Sequence, residues 1–439
     1  MLGRVICLAF GISLALTVLL RRSAECATFN VNTPNDTHDF DNLDGLCRDA
    51  SALCSLRAAI EQSNQSGVYT SINLAATTYI LSLGQLQATG DIDIIGSQSS
   101  PFTKIDARGM SRVLEVNTAV GAVGLYSVTL QNGNGTPSPT TQPGGQLYQS
   151  NGQVMAFDST FTTTMAVSSK PFPGAGIALT SFAYIERCTI SKNETPNGGG
   201  GVQDTGGGLF LYSTANAYVY DSTISENKAV RGAGIGGGGT LNLFNSTVSG
   251  NTARGGGGGL RLAQSGANWY VAFSTITNNT ANVTSPDTSF VWGGGVLTTA
   301  GVIHIGKTII AKNTDNRISS SPDFSPDCGM APTGTELRSY SDLILGRIGS
   351  KCTNFTIGYD FVGWSSDFDP RIGALGSGGS FPPLTHMPAL NSSAVDEATS
   401  GNGGNAFFSC PSWDERSASR PWDGNNDGVA LCDIGSVER

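Results

Sequence analysis

Histidine is nearly absent, with three residues in 439, and charged residues make up only 13 % of the chain. His38, His304 and His386 fall in the N-terminal segment, a strand-like stretch and the terminal segment, with no metal-ligand spacing between them. None of the nine cysteines forms CxxC, so a zinc site has no support. Basic residues are in deficit, leaving a net charge of −9, which argues against a nucleic-acid partner and an anionic membrane surface. There is no Ser/His/Asp arrangement, and the glycine runs lack the lysine and flanking helix of a phosphate-binding loop.

Glycine, by contrast, is abundant, at 58 residues, and it punctuates a repeat. Asp221 to Leu260 holds two copies of one unit: a glycine run, two short alternating apolar segments, then S-T-[IV]-S-x-N. Seven six-residue copies align, at SVTLQN (127–132), STFTTT (159–164), CTISKN (188–193), STISEN (222–227), STVSGN (246–251), STITNN (274–279) and TIIAKN (308–313). Their first slots lie between 24 and 34 residues apart, which suits one coil of a solenoid with loops of varying length.

The slots alternate as a strand must. The third is apolar (Phe161, Ile190, Ile224, Val248, Ile276, Ile310), with Thr129 the exception, and the small first slot shares its inward face. Cys188 occupies that first slot and is expected to be a buried free thiol. The second slot is β-branched and expected to face out. The last is Asn in six copies, suiting a tight turn and coil-to-coil amide stacking. Strand-like pieces upstream (GGGLFLY, LNLF, WYVAF) are separated by glycine runs, read as corners where the chain bends sharply. Two or three strands per coil make a parallel β-helix. A disordered glycine-rich linker would lack the apolar alternation.

Val5 to Leu20 is an uncharged apolar run behind Arg4 and reads as a secretory signal, with cleavage expected before Ala27. Arg21 and Arg22 leave an uncleaved anchor as the alternative. Export permits disulfides. Sequence proximity pairs Cys47 with Cys54, Cys328 with Cys352 and Cys410 with Cys432, one of fifteen pairings open to six cysteines. Ser55 to Ser63 carries the helix signal: Ser55 at the N-cap, with Leu56, Ala59, Ile60 and Ser63 on one face.

The segment around Cys54, Ser55, Leu56, Arg57 and Ala59 resembles the CSLREA domain of secreted bacterial β-helix proteins, with Ala58 where that motif has Glu. Asp369–Ala398 and Asp414–Glu438 resemble the choice-of-anchor ending of the same proteins, through THxL…SxAxD and CDIGxxE elements. The resemblance implies a single-stranded right-handed parallel β-helix of the pectin-lyase-like class, all-β, with a short N-terminal capping helix. The organisation read here is a signal peptide over 1–26, a CSLREA-like cap over 27–70, β-helix repeats over 71–324, and terminal coils with a choice-of-anchor-like segment over 325–439. Only Arg439 follows Glu438, so the anchor often appended in this family is expected to be absent.

Catalytic chemistry is not legible. The slot before the six-residue unit reads Tyr126, Asp158, Arg187, Asp221, Asn245, Phe273, Lys307, and the fifth reads Gln131, Thr163, Lys192, Glu226, Gly250, Asn278, Lys312. Neither column gathers the paired carboxylates that glycoside hydrolysis needs. Asn313-Thr314-Asp315 matches one short element of polygalacturonases, whose other elements are missing. Asp423-Gly-Asn425-Asn-Asp427-Gly428 fits the first half of a calcium loop, with Asp433 standing in for the usual Glu, so structural calcium is the one candidate cofactor. A polar turn without metal is the alternative.

The function expected is a secreted or cell-surface structural or adhesive protein presenting a polar Thr/Ser/Asn face to an extracellular polysaccharide or surface protein, with no membrane insertion of the mature chain. A polysaccharide lyase or glycoside hydrolase on the same fold is the alternative. Phe290 and Trp292, in a loop of 280–292, are read as packing on the neighbouring coil.

Overall fold

The computed structural model describes residues 26–100, 102–135, 143–164, 173–195, 205–282, 293–316, 326–331, 333–340, 342–347, 349, 352, 355–356, 361–363, 369–377, 383–398 and 406–439. The Val5–Leu20 run and the loop residues Phe290 and Trp292 lie outside them.

Alternation with period two and glycine-marked corners produce, among the described residues, three stacked parallel sheets of seventeen, eleven and four strands. The six-residue unit forms the eleven-stranded sheet, in which Thr189, Ile190 and Ser191 pair with Thr223, Ile224 and Ser225, and those with Thr247, Val248 and Ser249. Eleven rungs at strand spacing give a rod of about 50 Å. The third-slot residues Phe161, Ile190, Ile224, Val248, Ile276 and Ile310 are fully buried in one continuous core with Cys188, the one free cysteine among the described residues.

The first copy needs a correction. Thr160, Phe161 and Thr162 pair with Thr129, Leu130 and Gln131, so that unit begins at Val128 rather than Ser127. Ser127 takes the left-handed corner (φ 54°) held by Asp158, Arg187 and Asp221 in later coils. The inward third slot is therefore Leu130, fully buried, and the Thr129 exception disappears.

The asparagines form a ladder. Asn193, Asn227, Asn251 and Asn279 each donate Nδ2 to the Oδ1 of the next Asn, at 2.9–3.1 Å, and to a carbonyl of the preceding coil. Asn313 ends the column on the Asp327 carboxylate at 2.8 Å. This ladder explains part of the glycine content. A Cβ on Gly208, Gly234, Gly259 or Gly295 would stand 2.7–3.1 Å from an Asn Nδ2, so these glycines leave room for the amides rather than bending the chain.

At the N-terminal end, helix Leu56–Ser66 starts at Ser55, whose side chain accepts from the Ala58 N–H, and stops at Gly67 (φ 65°). Leu56, Ala59 and Ile60 join the core of the first rungs, which strand Cys26–Asn30 opens by pairing with Tyr69–Asn73. Arg57 is held by Asp36 at 2.7 Å and by the Gly84 and Gln85 carbonyls, so this arginine fastens the helix to the neighbouring coil. The cysteines pair as proximity suggests, Cys47–Cys54, Cys328–Cys352 and Cys410–Cys432, with Cα separations of 5.1, 5.7 and 6.1 Å.

The terminal segment does not trail away. An antiparallel pair, Ile372–Ser377 with Leu384–Pro388, and the irregular stretches 389–398 and 406–439 lie against the outer face of the eleven-stranded sheet. Ile372, Ala394, Phe408, Cys432 and Ile434 form a second apolar cluster with Phe273, Ile309, Ala311 and Ile344 of the β-helix.

Candidate functional site

The docked segment overturns one expectation. The second-slot threonines do not present a polar face to solvent in the later coils. Thr223, Thr247 and Thr275 are at most 1 % exposed, because Thr223 donates to the Leu384 carbonyl, Thr247 to Glu415, and Thr275 accepts from the Ser436 amide. Outward positions of earlier rungs, among them Lys104, Thr129, Gln131, Thr160 and Thr162, stay at least partly open. The ladder asparagines are buried as well.

A different face is open. Strands Leu147–Phe157, Phe182–Glu186, Asn216–Tyr220, Thr240–Phe244 and the second half of Leu260–Ala272 stack in register. Alternation buries Ala183, Ile185, Ala217, Val219, Leu241 and Leu243 and turns the residues between them outward. The outward residues are largely aromatic. Tyr126 stacks on Phe157 with centroids 5.3 Å apart, Phe157 meets Tyr184 at 5.6 Å, Tyr184 stacks on Tyr220 at 5.5 Å, and Tyr220 meets Phe244 at 5.6 Å. Phe182 and Tyr218 extend the array sideways at 5.6 Å. These rings are partly exposed, and Phe407 of the terminal segment packs on Phe244 with centroids 5.4 Å apart.

Charged groups gather where this face turns the corner. Arg187 Nε lies 2.8 Å from Asp158 Oδ1 and its other arm pairs with Glu186. Tyr184 donates its hydroxyl to Glu186 at 2.9 Å. Asp221 accepts from Asn245 Nδ2 at 2.5 Å, and the same nitrogen reaches the Trp413 carbonyl at 3.2 Å. Burial pushes the Asp221 carboxyl up to about 7, against the Asn245 bond and with the help of nearby Glu186. Three carboxyls and one guanidinium thus share one edge. Column reading missed them because Glu186 sits one residue before the corner, outside the slot that holds Asp158, Arg187 and Asp221.

The remaining sequence candidates have structural places. Asn313 of the Asn-Thr-Asp element ends the ladder, and Asp315 is buried. His38 meets Glu61 at the surface, His304 stacks on Tyr270, and His386 joins the terminal segment to Ser249. Cys188 is fully buried, and burial pushes its thiol up to about 12, which leaves it inert.

The four calcium candidates are engaged in bonds of their own. Asp423 accepts from the Asp427 and Gly428 amides, Asn425 from Asp427, and Asp427 from Val429, which is the pattern of a self-capped turn. Asp433 is buried elsewhere, accepting from the Asp396 and Arg439 amides. Among the described residues no group of three His, Cys, Asp or Glu is arranged to hold a metal. Thermal melts in calcium and in chelator are expected to coincide. A rise in Tm with calcium would show that the loop rearranges around the ion, since a ligand of the native state stabilises by mass action. A cavity of about 360 Å³ lined by Asp369, Arg371, Ser393, Glu397 and Asn425 lies within the terminal segment and shares no lining residue with the aromatic face.

Comparison with known proteins defines the class. A family model described as "Right handed beta helix region" matches residues 142–325. Among solved structures, the crystal structure of pectate lyase Pel9A superposes with a TM-score of 0.54, covering 96 % of this chain and 98 % of that one at 12 % identity. No curated protein matches the chain. The fold is therefore a right-handed parallel β-helix, shared with a pectate lyase. At that identity the likeness carries the architecture and not the chemistry. No helix among the described residues is long and apolar enough to cross a membrane.

Proposed function

We propose that this is a secreted or surface-exposed β-helix protein that binds a neutral glycan along its lateral aromatic face. The observation that carries the reading is the outward array of Tyr126, Phe157, Tyr184, Tyr218, Tyr220 and Phe244. Sugar rings present apolar C–H faces that stack on aromatic rings, and hydroxyls at the array's margin, such as that of Tyr184, hold orientation. An aromatic row repeated at coil spacing suits a repeating polymer. The charge at its edge favours a neutral chain, since Asp158, Glu186 and Asp221 outnumber Arg187 and the whole protein carries −9. Export is supported by the apolar N-terminal run, the three disulfides and the CSLREA and choice-of-anchor resemblances.

A second reading, glycoside hydrolysis, rests on Asp221. Burial pushes its carboxyl up to about 7, which suits a general acid, and the carboxyl groups of Glu186 and Asp158 lie on the same edge.

Calorimetry with neutral oligosaccharides and with uronate oligomers tests the first reading. Binding to a neutral oligomer with Kd of about 1 mM or tighter is expected, with no heat from uronates. Tighter binding of uronates would overturn it. New reducing ends released above a boiled control would carry the hydrolytic reading, and an unsaturated product would exclude it in favour of a lyase.

A further inference from the structure

The terminal segment meets the β-helix through a carboxyl that has no cation. Glu415 is fully buried at the centre of the docked surface. Thr247 Oγ1 lies 2.5 Å from its Oε2 and Thr223 Oγ1 lies 3.3 Å from its Oε1, and its backbone amide donates to the Ser436 carbonyl. Thr247 Oγ1 also meets Ser436 Oγ at 3.0 Å. No Lys, Arg or His nitrogen among the described residues pairs with Glu415. The charged groups that bear on it are acids, Asp221 from the sheet corner and Asp414 beside it. Asp414 is neutralised by Arg416 at 2.6 Å. Arg420 is turned away, toward the Asp433 and Gly435 carbonyls and Glu438. His386, on the antiparallel pair, binds Ser249 and the Gly373 carbonyl.

We infer that the described parts of the terminal segment, residues 383–398 and 406–439, form a proton-dependent latch over the Thr/Ser sheet, closed while Glu415 carries its proton and loosened when that carboxyl ionises. A buried carboxylate without a partner is far costlier than a buried carboxylic acid, which here keeps its oxygens and its proton engaged by hydroxyls. Release would uncover Thr223, Thr247, Ser249 and Thr275, the ladder that sequence reading took for the presenting face.

The sign follows from the direction of the shift. Burial raises the docked Glu415 well above the ordinary glutamate range, and the freed segment returns it there. Docking is therefore fully stable below the ordinary value and is lost as pH rises through the docked one. Within that window undocking releases one proton, and the docking constant falls about tenfold per pH unit. Asp433 and Asp221 shift in the same direction, to about 7, and change little above it. Glu438 also shifts upward, moderated by Arg420. His386 shifts downward through burial and opposes docking only on the acid side. Since these acids share its sign, the part of the fall that belongs to Glu415 is the part its non-ionising variants remove.

Hydrogen exchange of the whole protein, corrected for intrinsic rates, tests this. Protection of amides in 384–388 and 412–438 is expected to fall as pH rises above the ordinary glutamate range, by about tenfold per unit while release frees one proton, and the Asn-ladder strands stay protected. Glu415→Gln, which keeps the shape and cannot ionise, is expected to flatten the fall, leaving protection at alkaline pH above that of the unsubstituted protein by a margin that widens about tenfold per unit as Glu415 ionises on release. Glu415→Met, equally unable to ionise, guards against a local packing fault in the first variant and is expected to give the same flat profile. A fall as steep in both variants as in the unsubstituted protein, or no fall in the latter, would overturn the latch.

Discussion

Replacing Asn251 with Ala is expected to lower the unfolding free energy by about 3–5 kcal/mol. The side chain makes four hydrogen bonds in the middle of the ladder. Its Oδ1 accepts from the Asn227 backbone N–H at 2.9 Å and from Asn227 Nδ2 at 3.0 Å. Its Nδ2 donates to the Ile224 carbonyl and to Asn279 Oδ1, both at 2.9 Å. All of these groups are fully buried, so truncation strands donors and acceptors that water cannot reach. Each stranded group costs about 1–3 kcal/mol, softened by partial collapse of the coil. In a solenoid the damage sits at the interface between neighbouring coils, so denaturation should also broaden as the two halves uncouple. Chemical denaturation of the variant beside the unsubstituted protein measures both effects. A loss below about 1 kcal/mol would mean that the amides are supported by water rather than by each other.

The combined variant Tyr184→Ala, Tyr218→Ala is expected to weaken binding of a neutral oligosaccharide by about a hundredfold, since an aromatic anchor at a binding surface carries about 1–2 kcal/mol or more. The two residues are register partners on adjacent coils, and both of their rings meet Tyr220, so removing both opens a gap two rungs wide. Their backbones lie in strands whose inward residues, Ala183, Ile185, Ala217 and Val219, are untouched, so the fold should survive. Thr160→Ala with Thr162→Ala, on the uncovered part of the other sheet, is expected to leave affinity unchanged. Equal losses in the two pairs would point to a general effect on stability rather than to a sugar-binding face.

Periodicity made the β-helix, its inward slot, its asparagine column and its capping helix readable, because each is a local pattern repeated at coil length. The same patterns explain what was missed. In the first copy the left-handed corner is held by Ser127, which looks like the small first slot of later copies, and only the misfit of Thr129 signalled the slip. The aromatic face was present in VMAFD, FAYIER, AYVYD and LNLFN as outward residues just before the corner. It went unread because alignment was anchored on the six-residue unit that follows. The covering of the threonines had no local trace at all. Thr223 and Glu415 are 192 positions apart, and a β-branched outward slot reads the same under solvent or under another segment.

The most direct measurement is a structure of the protein with a neutral oligosaccharide bound. Sugar rings stacked along Tyr184, Tyr218 and Tyr220, with their hydroxyls toward Glu186 and Asp221, are the predicted result. Sugar lying instead on the threonine rungs, with the aromatic face bare, would contradict the account.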